Sequence, residues 1–231
     1  MKISVIIPAY KQEQYLPDAI ESCLTQLVKP DEIIVVDDGS PDRTAEIAAK
    51  YPVKLIRQVN KGLASARNAG IMNATGDWIL PLDSDDILLD DCIKRILEAA
   101  GETDADVIAP SFKEFGVRQT QIILMPDPKL EDFKKANRIG YCSAIKREAL
   151  LEVGGYSPKM IWGYEDLALW VALLTRGKRI VTIPEILWLY RTKEHSMIND
   201  SIAHHEELMA QIFKDFPEFG GQVIPNPLPN A

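Results

Sequence analysis

The sequence predicts an α/β fold in which a mostly parallel central sheet is flanked by helices. Through the first half of the chain, apolar runs of strand length alternate with stretches of helical periodicity, and this alternation is typical of a doubly wound sheet. The chain has 231 residues, of which 46 % are hydrophobic and 26 % charged, as in ordinary soluble globular proteins. This length suits one α/β domain of generous size.

The elements of the first half follow from these runs in order. Predicted strands cover residues 3–7, 33–36, 53–56, 78–80 and 107–110. Predicted helices cover residues 16–27, 44–51, 63–73 and 90–100. Pro17 is tolerated in the first turn of the first helix. Ser40 and Asp42 are both candidate caps of the second helix, because their side chains accept hydrogen bonds from free backbone N–H groups.

The alternation weakens after about residue 112. There we expect a hairpin-like stretch near residues 121–124, strands over 180–183 and 187–190, and helices over 131–137, 146–153, 165–176 and 202–213. We find neither an internal repeat nor a low-complexity linker before the final segment, which is rich in Pro, Gly and Asn. We therefore expect one domain over residues 1–219 and a disordered tail over 220–231.

Composition and charge argue against several classes of function. The formal charge is −8 and no basic run stands out, so nucleic acid is not an expected partner. Three widely spaced cysteines lie in apolar or helical contexts, as reduced core residues of a cytosolic protein do. We see no basic-then-apolar leader and no apolar run of membrane-spanning length. We expect a cytoplasmic protein, for which peripheral contact with the inner face of a membrane stays open.

The most informative segment is the acidic run at residues 83–86 (DSDD), which follows the apolar strand at 78–80. Neighbouring carboxylates raise one another's pKa unless they are solvated, protonated or bound to a cation. A hard cation such as Mg²⁺ prefers oxygen ligands and completes its shell with water and substrate phosphates, so the run suggests a metal–phosphate site. A capped turn is the structural alternative. A calcium EF-hand is excluded, because Leu88 and Lys94 stand where that loop needs Gly and Glu.

The common nucleotide-binding motifs are missing. The first strand is followed by residues 8–11 (PAYK) rather than by a G-x-G-x-x-G turn, and no G-x-x-x-x-G-K-[ST] occurs. Instead, the second strand ends in Asp37 and Asp38, whose carboxylates can accept hydrogen bonds from a nucleoside, although an Asx turn explains Asp37 equally well. Residues 60–70 open a helix with small residues, from which Arg67 can pair with Asp38 or face a nucleotide.

Four segments, in this order and spacing, resemble the family 2 glycosyltransferases, which have the GT-A fold. They are residues 5–10 (VIIPAY), 35–40 (VVDDGS), 60–68 (NKGLASARN) and 83–86 (DSDD). Two segments of the back half, 154–156 (GGY) and 162–166 (WGYED), look like the acceptor-side loop and the Glu-Asp motif of that family. The resemblance implies a GT-A fold in which residues 1–115 bind a nucleotide-sugar and residues 116–219 bind the acceptor.

The resemblance also implies a reaction. A sugar would move, with inversion, from a nucleotide-diphospho-sugar to a hydroxyl of a glycan, lipid carrier or protein, and a UDP-sugar is the favoured donor. Mn²⁺ or Mg²⁺ bridging the two phosphates would stabilise the charge on the leaving group. Because the acceptor hydroxyl loses its proton as it attacks, a carboxylate is needed on the opposite face of the sugar.

By the same resemblance, Asp85 is expected to bind the metal directly, and Asp83 to contact the ribose or metal-bound water. His195 is a candidate metal or phosphate ligand, with a surface loop histidine as the structural alternative, and Arg191 is a candidate phosphate contact. Asp166 is the expected general base, kept ionised by its helix N-terminus, with helix capping as the structural alternative.

The remaining expected contacts fall into two groups. Residues expected to hold the nucleotide, besides Asp83, are Pro8, Ala9, Tyr10, Asp38, Lys61, Arg67 and Ser84. Residues expected to contact the acceptor are Trp162, Tyr164 and Glu165. His204 and His205 are adjacent on the last predicted helix, point to different faces and receive no role.

Two other functions use similar residues. A nucleotide-sugar-binding protein without catalytic activity would keep the scaffold, but the joint presence of Asp83, Asp85 and Asp166 argues against it. A metal-dependent phosphohydrolase would also use an acidic loop. Phosphatases with an aspartyl nucleophile, however, carry their D-x-D directly after the first strand, whereas this run follows the fourth predicted strand.

Overall fold

The computed structural model describes residues 1–194 and 197–220. His195 and residues 221–231 of the predicted tail lie outside the described residues. In the described part, nine strands form one sheet. They are β1 Ile3–Ala9, β2 Glu32–Asp37, β3 Lys54–Arg57, β4 Trp78–Pro81, β5 Ile87–Leu88, β6 Val107–Gly116, β7 Gln121–Ile122, β8 Ala144–Lys146 and β9 Ile180–Thr192.

Helices connect the strands and cover the sheet. They are α1 Leu16–Leu24, α2 Thr44–Ala48, α3 Leu63–Asn73, α4 Cys92–Glu102, α5 Leu130–Phe133, α6 Arg147–Val153, α7 Glu165–Thr175, α8 Met197–Ala203 and α9 His205–Asp215. A short 3-10 helix over Pro217–Phe219 follows α9. The N-cap of α2 is Arg43 and not one of the predicted caps, Ser40 and Asp42, although Asp42 Oδ1 accepts a hydrogen bond from the Thr44 N–H over 3.1 Å.

The sheet is mostly parallel, as predicted. Its order is β3-β2-β1-β4-β8-β6-β9-β5, with β7 paired to β6. β1 pairs in parallel with both β2 and β4, β2 with β3, and β6 with β9, whereas β5, β7 and β8 run against their neighbours. The chain winds from β1 outward to β3 and then returns to β4 on the other side of β1. The carboxyl ends of β1 and β4 therefore form a switch point, where open α/β sheets bind ligands.

Alternate residues of β1 pack into two apolar cores on opposite faces of the sheet. Ile6 and Ile34 lie in one core, which also contains apolar residues of α3, α6 and α7. Val5 and Ile7 lie in the other core, together with Leu16 of α1. Because both faces of these strands are buried, their sequences are continuous apolar runs. This packing fixes the strand ends that carry the site.

The largest difference from the predicted elements is in the last strand. The two strands predicted at 180–183 and 187–190 form one strand, β9. Pro184 between them cannot donate a hydrogen bond to a neighbouring strand. The register between β6 and β9 shifts between Pro110 and Ser111, and this bulge accommodates the proline without ending the strand.

Smaller differences lie in the back half. The predicted helix at 131–137 shrinks to the four residues of α5, and the one at 202–213 is divided into α8 and α9 at His204. Strands β5 and β8 have two and three residues, too few for a periodic pattern to predict. The predicted hairpin near 121–124 is confirmed by the antiparallel pairing of β7 with β6.

The cysteines and the helices agree with the expectations from composition. Cys23, Cys92 and Cys142 are buried and free, which confirms their predicted core positions. Among the described residues, we find no helix with the length and apolar character that crossing a membrane requires.

Candidate functional site

Two adjoining cavities open at the carboxyl ends of the central strands. The larger, which we call the cleft, has a volume of about 550 Å³ and is bordered by the ends of β1, β2 and β4. The smaller, which we call the pocket, has a volume of about 270 Å³ and is bordered by the start of α7 and by residues of α8 and α9. Four residues line both cavities: Leu63, Asp83, Tyr190 and Met197. The cleft and the pocket are therefore continuous at Asp83.

Asp38 organises one wall of the cleft. Its carboxylate is buried, and Oδ1 accepts hydrogen bonds from Gln58 Nε2 over 2.7 Å and from the Lys61 N–H over 2.9 Å. Oδ2 accepts from the Gly62 N–H over 2.8 Å. A carboxylate offers about four acceptor positions, so Oδ2 retains capacity toward a ligand. Residues 8–10 at the end of β1 border the same wall.

Gly39 allows the backbone after β2 to approach the backbone at Asn60 closely. Its φ is +73°, and a side chain there would bring a Cβ to 2.8 Å from the Asn60 backbone nitrogen. Glycine is required because it alone combines this backbone conformation with this close approach. Asp37 beside it stabilises the same turn, since its Oδ1 accepts a hydrogen bond from the Ser40 N–H over 3.0 Å, one residue further along than in the Asx turn that the sequence left open.

Arg67 connects the acidic run to the pocket. It donates from Nη2 to Asp83 Oδ1 over 2.7 Å and from Nη1 to Glu165 Oε1 over 2.6 Å. Its Cζ lies 5.0 Å from the centre of the Tyr141 ring and 5.1 Å from that of Tyr156, and its side chain is 1 % exposed. Burial disfavours the charged guanidinium, but the two carboxylates outweigh this effect and raise the pKa of Arg67 well above its usual value.

Two nucleotide-side expectations change with this geometry. The expected pairing of Arg67 with Asp38 is wrong, because α3 directs the guanidinium toward β4 and α7. Lys61 contributes its backbone N–H to Asp38, while its own surface is exposed and Asn60 and Gly62 border the cleft. The nucleotide-binding roles expected of Arg67 and Lys61 stay predictions.

The three carboxylates of the acidic run have different partners. Burial raises the pKa of Asp83 to about 6, since the lowering effect of Arg67 is offset in part by the charge of Asp85. Asp85 Oδ2 lies 2.6 Å from Lys193 Nζ. Ser84 between them is buried and lines the cleft. Two carboxylates of the run therefore border the cleft, and both face cations.

Asp86 turns away from both cavities. It is buried, accepts a hydrogen bond from the Tyr141 hydroxyl, and accepts another at Oδ1 from the Arg191 N–H over 2.6 Å. Burial and the charges of Asp85 and Asp83 raise the pKa of Asp86 well above its usual value. It directly precedes strand β5. Asp86 ties the acidic run to β9.

Arg191 lies at the cleft, as expected for a phosphate contact. Its Nε donates to the Asp85 carbonyl oxygen over 2.8 Å. Its guanidinium stacks 4.4 Å from the centres of both the Tyr15 and Phe115 rings. These contacts hold a positive charge beside the acidic run, where an anionic ligand would gain from it.

A left-handed turn positions the first residues of α7. Gly163 and Tyr164 have φ values of +118° and +61°, and a side chain at Gly163 would overlap Ser201 Oγ. A left-handed tyrosine is uncommon and marks a position that its surroundings constrain strongly. Glu165 follows and is held by Arg67, so its carboxylate positions the helix start rather than lying free for a ligand.

Asp166 lines the pocket and not the cleft. Its Oδ2 accepts a hydrogen bond from Asn137 Nδ2 over 2.9 Å, and its Oδ1 accepts from the Leu167 N–H over 2.7 Å. Burial, followed by the charge of Glu165, raises the pKa of Asp166 to about 7. A carboxylate with this pKa can take up a proton at neutral pH, as a general base must.

Aromatic side chains surround Asp166. Tyr141, Tyr164 and Tyr190 line the pocket together with His205, whose Nδ1 lies 2.9 Å from the Tyr164 hydroxyl oxygen. Trp162 lies outside this lining and stacks on His204 with ring centroids 4.3 Å apart. The assignment of no role to His205 therefore changes, because the break between α8 and α9 turns its ring into the pocket. Its position could not be found while one helix was expected there.

The donor set fits a divalent cation of the kind that the resemblance implies. Mg²⁺ commonly binds through one or two carboxylates plus water and substrate phosphates, and Asp83 and Asp85 supply such a pair at the cleft. In residues 1–194 and 197–220, no group of three or more His, Cys, Asp or Glu side chains is placed to hold a metal. An ion at this pair would thus depend on ligand phosphates for much of its shell.

Comparisons with known proteins agree with the fold and the motifs. Residues 4–163 match the sequence model of a family described as Glycosyl transferase family 2. The chain is 29 % identical over 214 residues to the uncharacterized glycosyltransferase EpsJ of Bacillus subtilis (strain 168), a match that covers 84 % of this chain. The chain spans 62 % of the length of EpsJ.

Solved structures support the expected GT-A fold. S. aureus TarS 1–349, in complex with UDP-GlcNAc, is similar with a TM-score of 0.75 and 20 % identity, over 95 % of this chain and 71 % of that chain. Mannosyltransferase PcManGT from Pyrobaculum calidifontis, in complex with GDP-Man and Mn²⁺, is similar with a TM-score of 0.71 and 18 % identity, over 97 % of this chain and 66 % of that chain. These likenesses confirm the predicted fold class.

Proposed function

The chain belongs to glycosyl transferase family 2, and on that premise we propose that it is an inverting glycosyltransferase. The cleft holds a nucleotide-diphospho-sugar, the pocket holds the acceptor, and the sugar lies where the two cavities meet. One observation carries this proposal: both cavities are lined by Asp83, with the metal-type carboxylate Asp85 on the cleft side and Asp166 on the pocket side.

We propose a uridine diphosphate sugar as the donor. The imide N–H of a uracil ring is a hydrogen-bond donor, and the free acceptor position on Asp38 Oδ2 suits it. Tyr10 is 40 % exposed at the border of the cleft, where its ring can stack on the base. The TarS complex with UDP-GlcNAc, a protein of the same fold, supports this choice of donor.

In the proposed reaction, Asp85 and Asp83 hold Mn²⁺ or Mg²⁺ against the donor diphosphate. When bound, such an ion neutralises the charge that develops on the leaving nucleoside diphosphate. The PcManGT complex with Mn²⁺ supports the use of a metal. Arg191 adds a fixed positive charge at the same end of the cleft.

Asp166 is the proposed general base. It removes the proton of the acceptor hydroxyl as that oxygen bonds to the anomeric carbon, and the bond from this carbon to the diphosphate oxygen breaks. Entry of the acceptor from the pocket, opposite the diphosphate in the cleft, inverts the anomeric centre. Asn137 and the Leu167 N–H orient the carboxylate, and Arg67 fixes Glu165 beside it.

The pocket suits a sugar hydroxyl as the acceptor. Its volume of about 270 Å³ is of the size of a monosaccharide unit, and the rings of Tyr141, Tyr164 and Tyr190 offer faces on which the C–H groups of a sugar can pack. We therefore propose a glycan acceptor, free or attached to a lipid carrier or a protein. Trp162, beside the pocket, is a proposed contact for the outer part of that acceptor.

A donor screen tests the proposal. The purified protein is mixed with UDP-, GDP-, dTDP- and CMP-sugars, with and without Mn²⁺, and its thermal unfolding and the slow hydrolysis of each donor are followed. We expect stabilisation and nucleoside diphosphate release with UDP-sugars and Mn²⁺. A lack of metal-dependent response to every donor would contradict the proposal. Binding without turnover would favour a non-catalytic nucleotide-sugar-binding protein, and release of inorganic phosphate would favour a phosphohydrolase.

A further inference from the structure

A lysine of the chain lies beside Asp85, the carboxylate that is proposed to bind the metal. Lys193 Nζ lies 2.6 Å from Asp85 Oδ2, and both side chains border the cleft. The ammonium group also lies 4.6 Å from the centre of the Tyr15 ring. The oxygen that would bind a divalent ion is thus already neutralised by a residue of the chain itself.

We propose that Lys193 is a counter-ion that exchanges with the divalent cation. Without metal, the ammonium neutralises Asp85; when a metal binds Asp85, the ammonium leaves it and pairs with the donor diphosphate. This inference rests on the proposed function, because it takes a nucleoside diphosphate as the ligand of the cleft. Lys193 is then a positioning residue that couples metal binding to donor binding.

The contacts of Lys193 allow such an exchange, whereas those of Arg67 do not. Arg67 is 1 % exposed, bridges two carboxylates and lies between two aromatic rings. Within residues 1–194 and 197–220, Lys193 forms an ion pair with Asp85, and the side chains of Lys193 and Asp85 are 28 % and 21 % exposed. An ammonium on a flexible four-carbon stem reorients more easily than a planar guanidinium held at two points, and lysine is a common partner of phosphate.

Electrostatics makes the exchange obligatory. Two like charges 4 Å apart repel by about 1 kcal/mol in water and by about 4 kcal/mol near a protein surface, so Lys193 and a divalent ion cannot both stay on Asp85 without cost. The diphosphate relieves this cost by accepting the displaced ammonium. Metal and nucleotide should therefore strengthen each other's binding, and by linkage the factor is the same in both directions.

The experiment measures Mn²⁺ affinity from the electron paramagnetic resonance signal of the free ion, with and without UDP. Wild type is compared with Lys193→Met, which removes the charge but keeps much of the side-chain length. Lys178→Met is the matched control, since Lys178 pairs with Glu152 over 2.5 Å and is 21 % exposed. We expect Lys193→Met to bind Mn²⁺ about tenfold more tightly without nucleotide, and UDP to strengthen its Mn²⁺ binding about tenfold less than in wild type.

A second measurement distinguishes displacement of the Lys193 ammonium by the metal from simple repulsion between the two charges at a distance. The lysines are ¹³C-methylated, which keeps their charge, and the Lys193 signal is identified by its loss in Lys193→Met. We expect Mg²⁺ to shift this signal, and UDP added with Mg²⁺ to shift it again. If Mg²⁺ binds but the chemical shift of the Lys193 signal does not change, the proposed exchange is overturned.

The outcomes distinguish this inference from the proposed function. Equal Mn²⁺ affinity of wild type and Lys193→Met without nucleotide overturns the inference alone. Tighter Mn²⁺ binding by Lys193→Met, together with no UDP or GDP binding by any variant, overturns the nucleotide-sugar proposal and with it the second half of the exchange. Absence of Mn²⁺ binding under every condition overturns both.

Discussion

The cleft and the pocket share a border but are built in different ways. The cleft takes its walls from the ends of parallel strands and the loops that follow them, and five of its lining side chains are charged: Asp38, Asp83, Asp85, Arg191 and Lys193. The pocket takes its walls from helix starts and irregular segments of the back half, and four of its lining side chains are rings: Tyr141, Tyr164, Tyr190 and His205. A charged diphosphate suits the first cavity, and a neutral sugar suits the second.

This difference suggests that the cleft mainly binds the donor and that the pocket mainly carries out the transfer. In the cleft, each carboxylate already has a positive or N–H partner, so the charges that would meet a diphosphate and its metal are paired within the chain itself. In the pocket, Asp166 has an amide and a backbone N–H as partners, and its pKa is raised to about 7. Changes in the pocket should therefore affect turnover first, and changes in the cleft should affect donor binding first.

The largest expected effect is on turnover. In Asp166→Asn, kcat for sugar transfer should fall about 1,000-fold, or about 4 kcal/mol in activation free energy, because an amide cannot take the acceptor proton. Donor affinity, measured by calorimetry, should be unchanged. Asp215→Asn, which alters an exposed ion pair with Lys159, is the control and should keep full activity. Equal activity of Asp166→Asn and wild type would remove Asp166 from the mechanism.

The next effect tests the arginine that pairs with Asp83 and Glu165. Arg67→Met leaves both carboxylates without their cation, and the free energy of unfolding should fall by about 3 kcal/mol, because Glu165 is buried. Urea denaturation measures this change. Arg95→Met is the matched control, because Arg95 also bridges two carboxylates, those of Glu98 and Glu185, but is 39 % exposed. Arg95→Met should lose less stability than Arg67→Met, because solvent screens exposed ion pairs, and equal losses would show that burial of the Arg67 pair is unimportant.

The same contrast explains what the sequence could predict. The cleft follows from strand runs and the short motifs after them, so its elements were found in order, and α3 has the predicted bounds of Leu63–Asn73. Side-chain pairing was not predictable even there. Arg67 pairs with Asp83 and Glu165 instead of Asp38, because the packing of α3 on β1 and β2 sets the direction of its side chain, and no local sequence pattern predicts that packing.

Less of the pocket could be predicted. Asp166 and Tyr164, to which the resemblance draws attention, line it, but Asn137, Tyr141 and His205 reach it from three segments that are distant in sequence. Tyr141 precedes a three-residue strand, and His205 depends on a helix break at His204. Such short elements have too few residues for a periodic sequence pattern to be detected. Tertiary packing alone brings these side chains together.

A smaller effect is expected from the cleft. Asp85→Ala should weaken Mn²⁺-dependent donor binding by about 100-fold, or about 2.7 kcal/mol, because the proposed ion loses a direct ligand. Calorimetry with a UDP-sugar, with and without Mn²⁺, measures this loss. Asp90→Ala is the control, since Asp90 is exposed and near in sequence, and its metal dependence should match wild type. If Asp85→Ala kept the Mn²⁺ effect, the metal site would have to lie elsewhere.

The smallest expected effect is a difference between the pH dependence of transfer, which the pocket controls, and that of donor binding, which the cleft controls. The ionised form of Asp166 is the active base and its pKa is raised to about 7, so kcat/KM should fall about tenfold for each pH unit below 7 and level off above it. The fall in donor affinity should have its midpoint near pH 6, where half of the Asp83 carboxylates are protonated and have lost their charge toward the metal. Pre-steady-state transfer and donor titrations over pH 5–9 measure the two curves. Because the pocket carries the higher pKa, transfer must fail before binding does, and curves that fall together would mean that one group governs both cavities.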